Sequence, residues 1–131
     1  HLKQGVLELA SELETRGQKV SVFDLARDDM AEAVEDAFRY NRLVLASTTY
    51  NGDIFPFMAT FIHTLAEHGY QNRRVALVEA GSWAPTAAKV MRSQVEQMKD
   101  IEFAEAKVTV RGAVDDAARA QIAALADELS K

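Results

Sequence analysis

The sequence predicts an α/β fold, a parallel sheet with helices on both faces. Two short runs, Leu43–Ala46 and Val75–Val78, are continuously apolar, as strands covered on both sides tend to be. Between and around them, apolar residues recur at spacings of three and four, the period of an amphipathic helix. Helical and strand patterns alternate along the whole chain, which is how parallel sheets are built. At 131 residues the chain suits one domain, and no repeat, low-complexity tract or linker-like stretch divides it.

The elements follow in order. Leu2, Val6, Leu9 and Leu13 share one helical face, and Gly17 stands just past the last turn. Lys19–Phe23 alternates and predicts a strand. Asp28 and Asp29 precede a helix over 30–38, where acidic residues offset the positive end of the macrodipole. Arg42–Ala46 is a buried strand that opens into the polar stretch Ser47–Asp53. Pro56 starts a helix to about His68, with Met58, Phe61, Ile62 and Leu65 as its apolar stripe, and Gly69 ends it. Arg74–Val78 repeats the buried-strand pattern and enters a second loop, Glu79–Pro85. A helix over about 86–98 buries Val90, Met91, Val95 and Met98. Lys107–Arg111 is the last strand, Gly112 its turn, and 117–129 the closing helix.

The chain opens on a helix with a strong buried face and no strand before it, whereas helices in such sheets normally follow a strand. The expectation is therefore a domain over residues 1–131 that lacks its first strand and the loop after it.

Composition excludes several classes. A net charge of −5 argues against a protein that binds nucleic acid by neutralising phosphates. The absence of cysteine removes disulfides, thiolate-ligated metals and a cysteine nucleophile. No apolar stretch approaches the roughly 20 residues that span a bilayer, and the first residues are not a signal peptide, so no membrane partner and a cytoplasmic location are expected.

Ligands of open parallel sheets bind beyond the carboxyl ends of the strands, and both unusual loops lie there. Ser47, Thr48, Thr49, Tyr50, Asn51 and Gly52 offer hydroxyls, an amide, backbone N–H groups and a ring face. Gly81, Ser82, Trp83 and Ala84 offer close backbone approach and an indole. A flat, partly polar heterocycle suits that combination, with ring faces to stack against and donors for its edge.

The stretch Ala46–Pro56, Ala-Ser-Thr-Thr-Tyr-Asn-Gly-Asp-Ile-Phe-Pro, is similar to the second flavin loop of the flavodoxin-like domain of flavodiiron proteins. Glu79–Ala87, Glu-Ala-Gly-Ser-Trp-Ala-Pro-Thr-Ala, resembles their third flavin loop, and the element lengths between agree over nearly the whole chain. The resemblance implies a flavodoxin-like three-layer sandwich, strand order 2-1-3-4-5 in the intact family, that binds FMN without a covalent bond and cycles it through one-electron steps. It implies that Thr48, Thr49, Tyr50, Asn51 and Gly52 line one side of the isoalloxazine ring and Gly81, Ser82, Trp83 and Ala84 the other, with Ser47 also counted among the cofactor-binding residues. It further implies a rubredoxin-like or reductase electron donor and, as acceptor, a diiron oxygen or nitric oxide reductase centre in a metallo-β-lactamase-like domain, in a homodimer. Two departures stand out. Ala80 occupies the position where the family commonly has Asn, and the Ser/Thr/Gly-rich phosphate loop does not occur in this sequence. The net negative charge predicts a lowered flavin potential.

Other readings carry less. An NAD(P)H-dependent quinone or flavin reductase on the same fold would need a nicotinamide site, for which no signature occurs. A receiver-like interaction module needs an Asp and a Lys ending particular strands, where this chain has Ser47, Glu79 and Arg111. His63 and His68 are five apart, off the spacing that puts two ligands on one helical face, so no metal is expected. Asp28, Asp29, Glu32, Glu35 and Asp36 suit a solvated helix face. Glu79 has no visible acid–base partner, so no catalytic residue is assigned.

Overall fold

A computed structural model describes residues 1–49, 53–81 and 85–131. In chain order the elements are α1 (Leu2–Thr15), α2 (Met30–Arg39), β1 (Arg42–Thr48), α3 (Pro56–Glu67), β2 (Arg73–Ala80), α4 (Ala87–Val95), β3 (Ile101–Phe103), β4 (Val108–Val110) and α5 (Asp116–Leu129). All described strands run parallel. β1 pairs with β2 in register from Arg42↔Arg74 to Thr48↔Ala80. The other edge of β2 takes β3 at its start, Arg73↔Ile101, and β4 at its end, Ala80↔Val110.

Side chains alternate across the sheet and divide the interior in two. Leu45, Val75 and Leu77 face α2, α3 and α4, where Phe61, Ile62, Leu65, Met91 and Val95 close the core. Ala76, Val78, Ala80, Val108 and Val110 face α1 and α5, against Leu9, Leu13, Ile122 and Leu125. The small alanines of β2 lie toward the α1/α5 layer, and its larger Val75 and Leu77 toward the other. The helix ends use the expected chemistry. Gly17, at φ 83, donates to the Glu14 carbonyl while Gln18 donates to Leu13, closing α1. Asp29 caps α2 through the Ala31 N–H, and Asp115 caps α5 through Ala118.

Two expectations are corrected. Lys19–Phe23 is not a strand. Its alternation is real, since Val20 packs toward the α1/α5 core and Phe23 toward the other. A strand, however, is completed by its neighbour's hydrogen bonds, and among the described residues this segment forms no ladder. Pairing of Val20–Phe23 with Leu43–Ala46, the rearrangement that would close the sheet, does not occur.

The second correction is at the other edge. The expected last strand, Lys107–Arg111, is the latter half of an interrupted pair, whose first half, Ile101–Phe103, the sequence pattern does not reveal. α4 stops at Val95 rather than Met98, and Asp100, at φ 54, turns the chain directly into β3. Glu128 then accepts the Glu105 and Ala106 N–H groups, both at 2.8 Å, holding the excursion between β3 and β4.

Candidate functional site

The two loops leave adjacent strands side by side. Beyond the last pair of the β1–β2 ladder, the Thr49 N–H donates to the Ala80 carbonyl at 3.1 Å. One residue further along β2, the Gly81 N–H donates to Val110 at 3.0 Å. Both stems are thus extensions of the sheet. Gly81 leaves β2 in tight quarters: a Cβ there would lie 3.3 Å from the Pro85 Cβ and 3.6 Å from Thr49 Oγ1. Gly81 and Pro85, which flank positions 82–84, therefore lie close together, with Gly81 beside the Thr49 hydroxyl of the first loop's stem.

α4 starts against these stems. Its N-cap residue, Thr86, makes no side-chain cap. Thr49 Oγ1 instead accepts the N–H groups of Thr86 at 2.9 Å and Ala87 at 3.2 Å. Glu79, the penultimate residue of β2, accepts the Ala88 N–H on Oε1 at 3.0 Å and the Thr109 hydroxyl on Oε2 at 3.2 Å. Orphan amide groups at a helix start are ordinarily capped from within the local chain. Here the residue just after β1 supplies a neutral hydroxyl, and β2 a carboxylate suited to the positive end of the helix. The Thr86 hydroxyl is itself buried with no partner among the described residues.

The residues expected at the site divide into three groups. Thr49 and Gly81 are brought together. Ser47 is buried at 4% exposure and donates to the Thr48 carbonyl, so its hydroxyl is committed within β1, and Thr48 is the half-buried last residue of that strand. Tyr50, Asn51, Gly52, Ser82, Trp83 and Ala84 lie outside the described residues. Sequence reasoning missed Thr86 and Thr109 and found no partner for Glu79. No local spacing could supply these, because Thr109 comes from a neighbouring strand and the Ala88 amide is a backbone group.

The remaining titratable residues do other work. The Asp28 carboxylate accepts the Asp24 N–H at 2.7 Å, and Asp36 pairs with Arg39 at 3.0 Å. His63 lies 3.4 Å from Glu67, while His68 Nδ1 meets the Thr64 carbonyl at 2.8 Å. Among the described residues no group of three His, Asp or Glu side chains is placed to hold a metal ion. No helix there is long and apolar enough to cross a membrane.

No protein-family profile matches the chain, and no curated protein does. Solved structures do. Rubredoxin oxygen oxidoreductase from Desulfovibrio gigas superposes with a TM-score of 0.91 at 16% identity, over 98% of this chain and 32% of its own. An archaeal flavodoxin gives 0.84 at 13% identity, covering 98% of this chain and 87% of its own. A flavo di-iron protein from Thermotoga maritima gives 0.81 at 16% identity, over 99% of this chain and 33% of its own. The chain thus spans about a third of the two longer proteins but most of the flavodoxin. The parallel sheet, its two helical layers and these superpositions together establish a flavodoxin-like fold, of the kind found both in free flavodoxins and within flavodiiron proteins.

Proposed function

We propose that this chain is an FMN-binding electron-transfer domain. The observation that carries the reading is the juxtaposition of Thr49 and Gly81 at the carboxyl ends of adjacent parallel strands, with Thr48 ending β1 beside them. The donor set fits the ring of a flavin. It is neutral: the described N–H groups of Thr49, Gly81, Thr86, Ala87 and Ala88 are taken up within the protein, which leaves the Thr49 and Thr86 hydroxyls as donors, and the nearby carboxylate of Glu79 is engaged by Ala88 and Thr109. A neutral, partly polar rim suits a heterocycle with carbonyls and ring nitrogens along its edge.

In this reading Thr48, Thr49, Tyr50, Asn51 and Gly52 hold one side of the isoalloxazine ring, with Ser47 buttressing them from beneath. Gly81, Ser82, Trp83 and Ala84 hold the other. FMN supplies one-electron chemistry when bound, and the chain's residues orient it and keep water from its ring. Electrons come from a rubredoxin-like or reductase donor. They go to a diiron centre in a metallo-β-lactamase-like domain within a homodimer, in the cytoplasm. The D. gigas protein's name links rubredoxin to oxygen in a chain of which this one matches a third, which supports that donor and acceptor class.

The test is a titration with FMN, following visible absorbance and quenching of flavin fluorescence. It is run on the chain alone and on the chain extended ahead of Leu2 by the strand and Ser/Thr/Gly-rich loop of a flavodoxin. Saturable quenching by the extended chain is expected, with weaker quenching by the chain alone. No quenching by either overturns the proposal.

A further inference from the structure

We infer that Thr49 is a positioning residue that locks the two loops of the proposed flavin site to each other through the first turn of α4. The inference rests on the FMN reading for its consequence, but the lock itself is a property of the chain.

Thr49 is fixed at its backbone by the Ala80 carbonyl, which ties it to β2. Its hydroxyl oxygen takes the Thr86 and Ala87 N–H groups, which ties it to α4. The second loop is therefore anchored at both ends. Gly81 is held by Val110, and Pro85–Thr86 is held by a residue of the first loop. Glu79 completes the set by taking the next amide, Ala88, so the three consecutive N–H groups of 86, 87 and 88 are all satisfied by the residue that follows β1 and by β2. Of the side chains holding those amides, only that of Thr49 belongs to the first loop. Remove its oxygen and two amides lose their acceptor, while the stem at 85–86 loses its tie to the first loop.

There is a second consequence. With both lone pairs engaged by N–H donors, the Thr49 hydroxyl can only donate. No acceptor for its proton occurs among the described residues. In the FMN reading that proton goes to an acceptor on the flavin, such as a carbonyl or an unprotonated ring nitrogen. One side chain then ties the stems of the two loops together and, in that reading, contributes a donor of fixed polarity to the ligand.

The experiment compares Thr49→Val, which keeps the branched shape, with Thr49→Ser, which keeps the oxygen. Hydrogen exchange is measured first, without FMN. Faster exchange by several-fold to tenfold is expected at the amides of Thr86 and Ala87 in the valine variant, with serine close to the parent. FMN affinity and midpoint potential are then measured on the extended chain. The valine variant should bind about tenfold more weakly with a shifted potential, and serine should restore both. Should the valine variant not fold by circular dichroism, Thr49→Ala takes its place.

Unchanged exchange in the valine variant overturns the lock. Altered exchange with parent-like affinity and potential overturns the positioning role and leaves a simple helix cap. If even the parent fails to bind FMN, the positioning role falls with the functional reading, and the exchange data still decide whether the lock exists.

Discussion

β1 and β2 have nearly the same sequence, an arginine followed by four apolar residues, Leu43–Ala46 in one and Val75–Val78 in the other. Their surroundings differ. In β2, Val75, Ala76, Leu77 and Val78 are all at 5% exposure or less. In β1, Leu45 reaches that state, while Leu43, Val44 and Ala46 remain partly exposed. Both strands carry helices on both faces, so the difference lies at the edges. β2 has partners along both, whereas β1 has one among the described residues. An apolar run in a sequence therefore reports coverage of the faces of a strand and says little about its edges.

Matched truncations give the largest test of that comparison. Leu77 and Leu43 face the same core layer from neighbouring strands. Leu77→Ala should cost about 3 kcal/mol of unfolding free energy, because a buried leucine leaves both lost transfer energy and a cavity. Leu43→Ala should cost about 1 kcal/mol, since part of that side chain is already in water. Urea denaturation of the two variants measures both. Equal losses would mean that the exposed edge of β1 is covered in solution. Hydrogen exchange offers a parallel measure, with β2 amides protected close to the global limit and those on the outer edge of β1 exchanging sooner.

The same contrast explains what could be read from the sequence. Faces were legible: both buried strands, the stripes of α1, α3 and α4, and the acidic start of α2 at Asp29 follow from period and local chemistry. Edges were not. Lys19–Phe23 has the alternation of a strand and lacks a ladder, and Ile101–Phe103 is a three-residue strand too short to show a period. At the site, the loop positions were legible because they follow buried strands. The Thr49 and Glu79 caps of α4 were not, since they depend on backbone amides brought together by the fold.

A smaller effect tests whether the second edge of β2 can be made to resemble the open edge of β1. Glu128 accepts the two amides that hold the excursion between β3 and β4. The Ala106 N–H, followed by that of Glu105, holds its carboxyl below the usual carboxylate range. A carboxyl whose folded value is depressed stabilises the fold above its ordinary titration and loses that contribution as the pH falls. Glu128→Gln keeps one acceptor of the two and should cost about 1 kcal/mol at neutral pH, kept small by solvent exposure. Urea denaturation at pH 7 and pH 3 should show the gap between variant and parent narrowing in acid. A gap of constant size would mean that the charge of Glu128 plays no part in holding this edge.

The smallest expected effect lies at the start of β2. Tyr70 is 2% exposed, edge-on to Phe38 at 5.1 Å, with the Arg73 guanidinium 5.0 Å from its ring centre. Its hydroxyl is buried with no partner among the described residues. Burial pushes the phenol up to about 12, partly opposed by the charge of Arg73. Because the folded value lies above the unfolded one near 10, the neutral ring contributes fully below pH 10, and that contribution is lost as the pH rises toward 12. Tyr70→Phe removes the unpartnered hydroxyl and leaves the ring packing in place. It should be neutral or stabilising by up to about 1 kcal/mol at pH 7. Its advantage over the parent should widen between pH 10 and pH 11.5 in urea denaturation, because only the parent has a phenol at position 70 to ionise. Parallel curves through that range would mean that the hydroxyl reaches water, and that the amino end of β2 is as open as the outer edge of β1.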